Sequence, residues 1–392
     1  MNMLFGYPGH ECLIPDIVRA ENCYLYDTSG QQYLDLESGV WCTGLGHGHP
    51  RIVRALKKQA GLLSHTGFGF NSPVTAKAAQ TVTDLHGFEN GKTIFLSSGS
   101  EAVEFGIRVL ETVYENPCFL TMADSYFGAY GSAHEKTASQ WTLFDWTPCK
   151  SCTRTDECDH ECPVWANVPF DRISAFVFEP GSASGLVGFP PDHLVRSIAH
   201  QVKSIGGLVM VNEVTTGMGR TAKWFGYQHY DLIPDIVAMG KGLGNGYPVS
   251  ATLVSEHLTS RLPGSGVAYG QSHQNDPLGA AVALAVIDTI QSQGLIDRAG
   301  HLSSILLKGL ERIKESSGRI LQVRGRGLMA AIELEDGSQG TLEVWRKLID
   351  QGFVLSKRPG LSVLRLDPAL TIEPDDLKRF LDTFAQILEE KS

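Results

Sequence analysis

The sequence predicts an α/β protein with a mostly parallel sheet covered on both faces, joined to a smaller α+β unit. Short apolar runs, "TIFL", "CFLTM", "ISAFVFE", "GLVMVNEV" and "DIVAMG", alternate with longer segments of helical period. After about residue 285 the order becomes long helix, strand "GLMAAIELE", helix, strand "SVLRL" and a final helix. At 392 residues the chain also exceeds what one core usually sustains. The expected organisation is an N-terminal segment, 1–45, that joins the small domain, a large domain over 46–284, and a C-terminal small domain over 285–392.

Each element has a local cause. The five apolar runs are four to eight residues long and rich in Val, Ile and Phe, which suits strands buried on both faces. A helix is predicted from Ser100 to Tyr114, where Val103, Ile107 and Leu110 recur at three to four residues and Ser98 with Glu101 has capping-box spacing. The last helix is predicted from Asp375 to Glu389, with Leu377, Phe380, Leu381, Phe384, Ile387 and Leu388 in one stripe that must dock on another element. Residues 137–170 lose periodicity and read as an insertion, with its cysteine-rich part at about 147–163.

Composition narrows the class of function. Hydrophobic residues at 42% and charged residues at 19% are globular values. The formal charge of −10 disfavours nucleic acid as a partner. No apolar run approaches the roughly 20 residues that span a bilayer. The N-terminal "MNMLFGYPGHEC" lacks signal-peptide regions, so the expected location is cytoplasmic.

In open α/β sheets ligands bind beyond the carboxyl ends of the strands, so the residues there are the candidates. After "TIFL" come Ser97, Ser98, Gly99 and Ser100, where free N–H groups and a helix dipole suit a phosphate, or simply cap a helix. "ADSYFG", with Tyr126 and Phe127, follows "CFLTM", and Glu179 ends "ISAFVFE". "GLVMVNEV" delivers Asn212 and Val214 to one face and Glu213 to the other, because side chains alternate along a strand. Lys241 stands in "GKGLGNG" behind an apolar run; desolvation there lowers a lysine pKa and suits it to a Schiff base with a carbonyl. That glycine run lacks the helix and the acidic residue of a dinucleotide fingerprint.

A phosphate loop, an aromatic stacker, a polar strand end and a lysine together describe a pyridoxal-phosphate pocket. The chain resembles the class III aminotransferases, also called the ornithine or ω-aminotransferase group, among the fold type I pyridoxal-phosphate enzymes. The resemblance runs through "YLDLESGVWCTGLGHGHPRIVRAL", "FLSSGSEAVE", "SYFGAYG", "FEPGSASGLV", "NEVTTGMGRTAKWFGYQHYDLIPDIVAMGKGLGNGYPVSA" and "VLRLDPALTI". It implies a ping-pong aminotransferase that moves an amino group between an amine or amino acid and an oxo acid. Lys241 would form the Schiff base and move protons; Gly99 and Ser100 would hold the phosphate; Tyr126 would stack on the ring, with Glu179 and Val214 beside it.

The resemblance also implies a homodimer with shared sites, in which Ser272 of "YGQSHQNDP" reaches the phosphate of the neighbouring subunit. Trp41 and Arg365 match substrate-facing positions, Arg365 for a carboxylate. The structural alternatives are Trp41 as packing and Arg365 as a buried ion-pair partner. The glutamate that gates this arginine in many members is Ser184 here, which predicts an arginine open to a carboxylate throughout. The family's histidine after the stacking tyrosine is Phe127, which counts against a polar role there.

Two features depart from the family further. Its aspartate at the pyridine nitrogen is Asn212, which can donate to an unprotonated nitrogen but cannot favour the cation. That leaves a slower aminotransferase, a racemase or epimerase on the same scaffold, an altered residue, or a weakly active cofactor- and metal-binding module. The second feature is Cys149-x2-Cys152-x5-Cys158-x3-Cys162, which suits Zn²⁺ or an iron–sulfur cluster but also redox thiols or disulfides.

Overall fold

The computed structural model describes Phe5, Cys12, Ile14 and residues 16–390, apart from 155, 156, 183, 185 and 265. Most of the N-terminal stretch read for a signal peptide, and Asp156 of the cysteine loop, lie outside the described residues. Strands β1 (Ile17–Glu21), β2 (Tyr24–Asp27) and β3 (Gln32–Asp35) open the chain. β4 (Lys92–Leu96), β5 (Phe119–Met122), β6 (Trp141–Phe144), β7 (Ala175–Phe178), β8 (Leu208–Asn212), β9 (Ile236–Met239) and β10 (Ser250–Val254) form a seven-stranded sheet in the order β4-β10-β9-β8-β7-β5-β6. β10 runs antiparallel to both its neighbours, and the pairs from β9 to β6 are all parallel.

β11 (Ile320–Arg326), β12 (Met329–Leu334), β14 (Ser356–Lys357) and β15 (Val363–Leu366) form a second sheet, in the order β11-β12-β15-β14. The short β13 (Phe353–Val354) instead pairs in parallel with β3, tying the start of the chain to its C-terminal part.

The five predicted strands are β4, β5, β7, β8 and β9; β4 extends one residue back to Lys92, and the other four are shorter than predicted. β6 and β10 were not predicted. β6 lies inside the stretch expected to be an insertion, so that stretch contributes an edge strand, and its remainder is loop with the short helical turns Thr147–Ser151 and Pro163–Ala166. β10 is short and follows the turn-rich "GNGYPV", which hides it from a periodicity test.

The helix after β4 runs Gly99–Val113, and its capping box is formed: the Ser98 hydroxyl accepts from Glu101 N at 3.3 Å, and the Glu101 carboxylate accepts from Ser98 N at 2.7 Å. Its buried face, with Val103, Ile107 and Leu110, packs on β9 and β10, and Gly106 admits Met210, which a Cβ would meet at 2.4 Å. The final helix, Pro374–Glu389, docks its predicted stripe on the helix Leu295–Ser317, where Gly309 makes room for Leu381. Burying each Leu or Phe of that stripe stabilises by about 1.5–3 kcal/mol, so Phe380→Ala or Phe384→Ala, both at fully buried positions, would loosen it.

The expected boundary at 284/285 falls inside the helix Pro277–Ser292, which packs on the helices Pro50–Ala60 and Pro73–His86. The chain bends only after it, at Gly294, in left-handed conformation at φ +61°. Among the described residues no single helix is long and apolar enough to cross a membrane.

Candidate active site

The carboxyl ends of β4, β5, β7, β8 and β9 open at one edge of the large sheet. A cavity of about 160 Å³ lies there, lined by Gly99, Ser100, Tyr126, Asn212, Val214 and Lys241, with Val103, Phe127, Gly128 and Thr215. Two larger clefts, one beside His193 and Arg196 and one between the helices Leu295–Ser317 and Pro374–Glu389, hold none of these groups.

Packing at the phosphate end allows little freedom. A Cβ on Gly99 would fall 2.5 Å from Val214 Cγ1, so only glycine lets the helix N-terminus approach the strand end. Ser100 Oγ accepts from Ala129 N at 3.0 Å, and Gly128, at φ +132°, gives the turn its shape. Glu179, buried beyond β7, accepts from Tyr126 N at 2.9 Å and fixes the loop that carries the aromatic ring.

Lys241 has a left-handed backbone, φ +42°, on the short turn Lys241–Leu243, and its Nζ donates to Thr215 Oγ1 at 2.9 Å. Desolvation lowers its pKa from 10.5 to about 8, against the pull of nearby acidic groups such as Glu179. About a tenth of this amine is therefore unprotonated at pH 7, far more than for an exposed lysine, as a nucleophile requires.

Asn212 ends β8 and is 3% exposed. Its Oδ1 accepts from Val214 N at 3.1 Å, which fixes the amide orientation and turns Nδ2 to the backbone carbonyl of Tyr126, also at 3.1 Å. Glu213 lies on the other face. It accepts from Gly226 N, Tyr227 N and Thr216 Oγ1 at 2.7–2.8 Å, and burial raises its pKa to about 7. It anchors the turn Gly226–Tyr230 and does not line the cavity.

Beside Lys241, next to that cavity, stand residues from both ends of the chain. Trp41, 4% exposed, lies between two cations: Lys241 Nζ is 4.6 Å from its ring centroid and the Arg365 guanidinium carbon 3.8 Å. Ser38, Gly39, Val40 and Trp41 all have φ between +50° and +66°, a left-handed turn that aims the indole inward. Arg365, on β15, faces Asp367 Oδ2 from Nε at 3.4 Å and donates from Nη2 to Ser356 Oγ at 3.1 Å.

Residues 7–388 match the family model for class-III aminotransferases. The chain belongs to that family. An acetylornithine aminotransferase of Methanopyrus kandleri is 30% identical over 95% of this chain and 94% of its own length. A leucine/methionine racemase of Thermococcus litoralis is 28% identical over 95% and 90%. Among solved structures, an acetylornithine aminotransferase from Elizabethkingia anophelis superposes with a TM-score of 0.83 at 26% identity, over 98% of this chain and 96% of that one. A Bacillus anthracis aminotransferase superposes at 0.87 with 24% identity, over 98% and 96%, and shares the fold.

This class-III aminotransferase is an enzyme whose expected cofactor is pyridoxal phosphate, and the residues present fit it. A glycine that a Cβ would exclude opens the helix N-terminus, a desolvated lysine stands opposite, and the amide at the strand end lines the cavity between them.

The predicted residues Gly99, Ser100, Tyr126, Asn212, Val214 and Lys241 line one cavity; Glu179 braces it, and Trp41 stands beside Lys241. Phe127 is buried against Trp141, consistent with an apolar role. Within one chain Ser272 is exposed and outside the cavity.

The arginine expected to stay open to a carboxylate has an acid of its own chain beside it: Asp367 Oδ2 lies 3.4 Å from Arg365 Nε, and both side chains are buried. Burial pushes the Asp367 carboxyl up, against the pull of Arg365 and Arg220. Sequence reading missed Asp367 and Thr215. Asp367 was detectable, since two residues after Arg365 along an extended chain is the same face.

The four cysteines are unpaired. Burial first, and then the charges of Cys158, Cys162 and Cys152, raise the Cys149 thiol to about 11. Cys158 N donates to Ser197 Oγ at 2.9 Å, which pins the loop to the helix Asp192–Ser204. Tetrahedral zinc thiolate needs sulfurs about 3.8 Å apart. Among the described residues, the group of ligand atoms within 4.8 Å of one another is His65, His273 and Asp276, and the cysteines are not in it.

Proposed function

We propose that this aminotransferase works through Lys241, whose Nζ would hold the cofactor by its carbonyl with loss of water and, once the donor's amine has displaced it, would carry the proton that leaves the donor's α-carbon. The observation that supports this most directly is a desolvated lysine, with a pKa of about 8, facing the amide of Asn212 across a cavity entered by a helix N-terminus. Bound there, the cofactor's pyridine ring would delocalise the electron pair left when that proton departs. Thr215 orients the amine by accepting from Nζ. Gly99 and Ser100 offer N–H groups to a phosphate, Tyr126 and Val214 enclose the ring, and Trp41 excludes water from the substrate side. The amino group passes from donor to oxo acid in two half-reactions. Borohydride reduction followed by peptide mass mapping tests the assignment: cofactor mass should appear on Lys241, and mass on another lysine would sink it.

The racemase reading is favoured by one observation: Asn212, where the family carries an acid. Racemisation requires proton loss and return without reprotonation at the cofactor carbon, and so tolerates a weaker electron sink. A relative named as a leucine/methionine racemase shares most of the chain's length.

The proposal extends to a cytoplasmic homodimer in which Ser272, exposed in one chain, completes the partner's phosphate site. Metal-free sedimentation should give a dimer, and Ser272→Ala should weaken cofactor retention. The cysteine loop is proposed as a structural zinc site. Mutual charge effects among four free thiols support it, and the sulfurs must draw closer to bind. Zinc analysis of the purified protein beside Cys149→Ser decides it.

A further inference from the structure

Arg365 has its counter-ion built in. Asp367 is fully buried, two residues further along the chain, with Oδ2 3.4 Å from Arg365 Nε. The backbone holds Asp367 from both sides: its N–H donates to Leu36 O at 2.7 Å, and its carbonyl accepts from Ser38 Oγ at 2.7 Å. These contacts belong to the N-terminal segment that ends in the left-handed turn carrying Trp41. A second acid, Glu37, also acts electrostatically on the guanidinium. On its other side the guanidinium stacks on Trp41, and its Nη2 is engaged with Ser356.

Two acids, Asp367 and Glu37, therefore act on the Arg365 charge before any substrate arrives, although Asp367 also answers Arg220, and the surface beside it is a flat indole. A substrate carboxylate would have to share Arg365 with a buried carboxylate that cannot leave, at the cost of like-charge repulsion in a poorly solvated place. An uncharged group meets no such penalty and gains the aromatic surface.

We propose that Asp367 is a specificity-determining residue that occupies Arg365, so that the Trp41–Arg365 end of the site accepts donors presenting an uncharged group there and discriminates against those presenting a carboxylate. The inference rests on the proposed Lys241 site, because that site sets which end of the donor faces Trp41.

Binding of pentanoate and of pentanamide to the cofactor-loaded enzyme tests it, read by calorimetry and by the absorbance change of the bound cofactor, with no turnover required. In the wild type the two ligands should bind within about threefold of each other. In Asp367→Asn the carboxylate should tighten by about tenfold or more while the amide moves little, since an arginine freed of its partner gains a charge-assisted hydrogen bond. A wild type that already prefers pentanoate by about tenfold overturns the proposal without need of the variant. So does an Asp367→Asn enzyme in which both ligands shift equally, the mark of a merely structural role. A protein that takes up no cofactor defeats the proposed function instead, which keeps the two failures distinct.

Discussion

Asn212 Nδ2 donates to the backbone carbonyl of Tyr126 at 3.1 Å, linking the end of β8 to the loop that carries the stacking ring. The opposite oxygen is taken by Val214 N, so the amide is used on both sides and has one N–H left for the cavity. A carboxylate there would set an oxygen against the Tyr126 carbonyl, where nothing can donate. The amide thus holds the site together in a way an acid cannot, and under the proposed function it would leave the cofactor's ring nitrogen without an anionic partner.

Asn212→Asp should pull these two roles apart. Without cofactor the variant should lose stability by about 1–3 kcal/mol, because the part-buried Tyr126 carbonyl loses this donor and faces a carboxylate oxygen. With cofactor, an anionic partner is worth roughly 1.5–3 kcal/mol to a protonated ring nitrogen, about one to two decades if felt in the transition state. Thermal melts of both forms, with ¹⁵N chemical shifts of labelled cofactor, separate the effects. Unchanged melting and an unchanged ring nitrogen would contradict them.

The depressed Lys241 pKa carries a pH signature. The folded value, about 8, lies below the 10.5 of an exposed lysine, so between those values the unfolded chain binds more protons and stability rises with pH. Below about pH 8 the penalty of burying the charge is fully present. Relative to Lys241→Met, the cofactor-free wild type should gain up to about 3 kcal/mol between pH 8 and 10.5. Denaturant melts across that window check it, and a flat difference would mean that the lysine is solvated.

Val40 bears strain without an obvious packing return. It is β-branched, sits at φ +59° and is 45% exposed. Val40→Gly should stabilise the protein by a few tenths to about 1 kcal/mol, the relief of left-handed strain less the added chain entropy. A loss in the urea midpoint would show that the Val40 side chain holds the turn.

Legibility in the sequence followed how local the cause was. The capping box at Ser98 and Glu101 and the apolar run before Lys241 are properties of a few adjacent residues, and both stand as expected. β10 was hidden because four or five buried residues after a glycine-rich turn have no period to detect. The left-handed turn at Trp41 has one glycine in four residues and no local signature; packing between distant parts of the chain, as in the β3–β13 pair, sets that region. The ion pair at Arg365 was open to reading, but the resemblance drew the arginine toward an external carboxylate and away from its own neighbour.

Transfer of an amino group through Lys241 and Asn212 is the proposed reaction. It is tested most directly by mixing the cofactor-loaded enzyme with an amine donor in D₂O and no acceptor, following cofactor absorbance and product together. The expected result is stoichiometric conversion of the bound cofactor to its amino form with one equivalent of carbonyl product. Deuterium entering the donor's α-carbon while the absorbance stays unchanged would contradict it and favour racemisation.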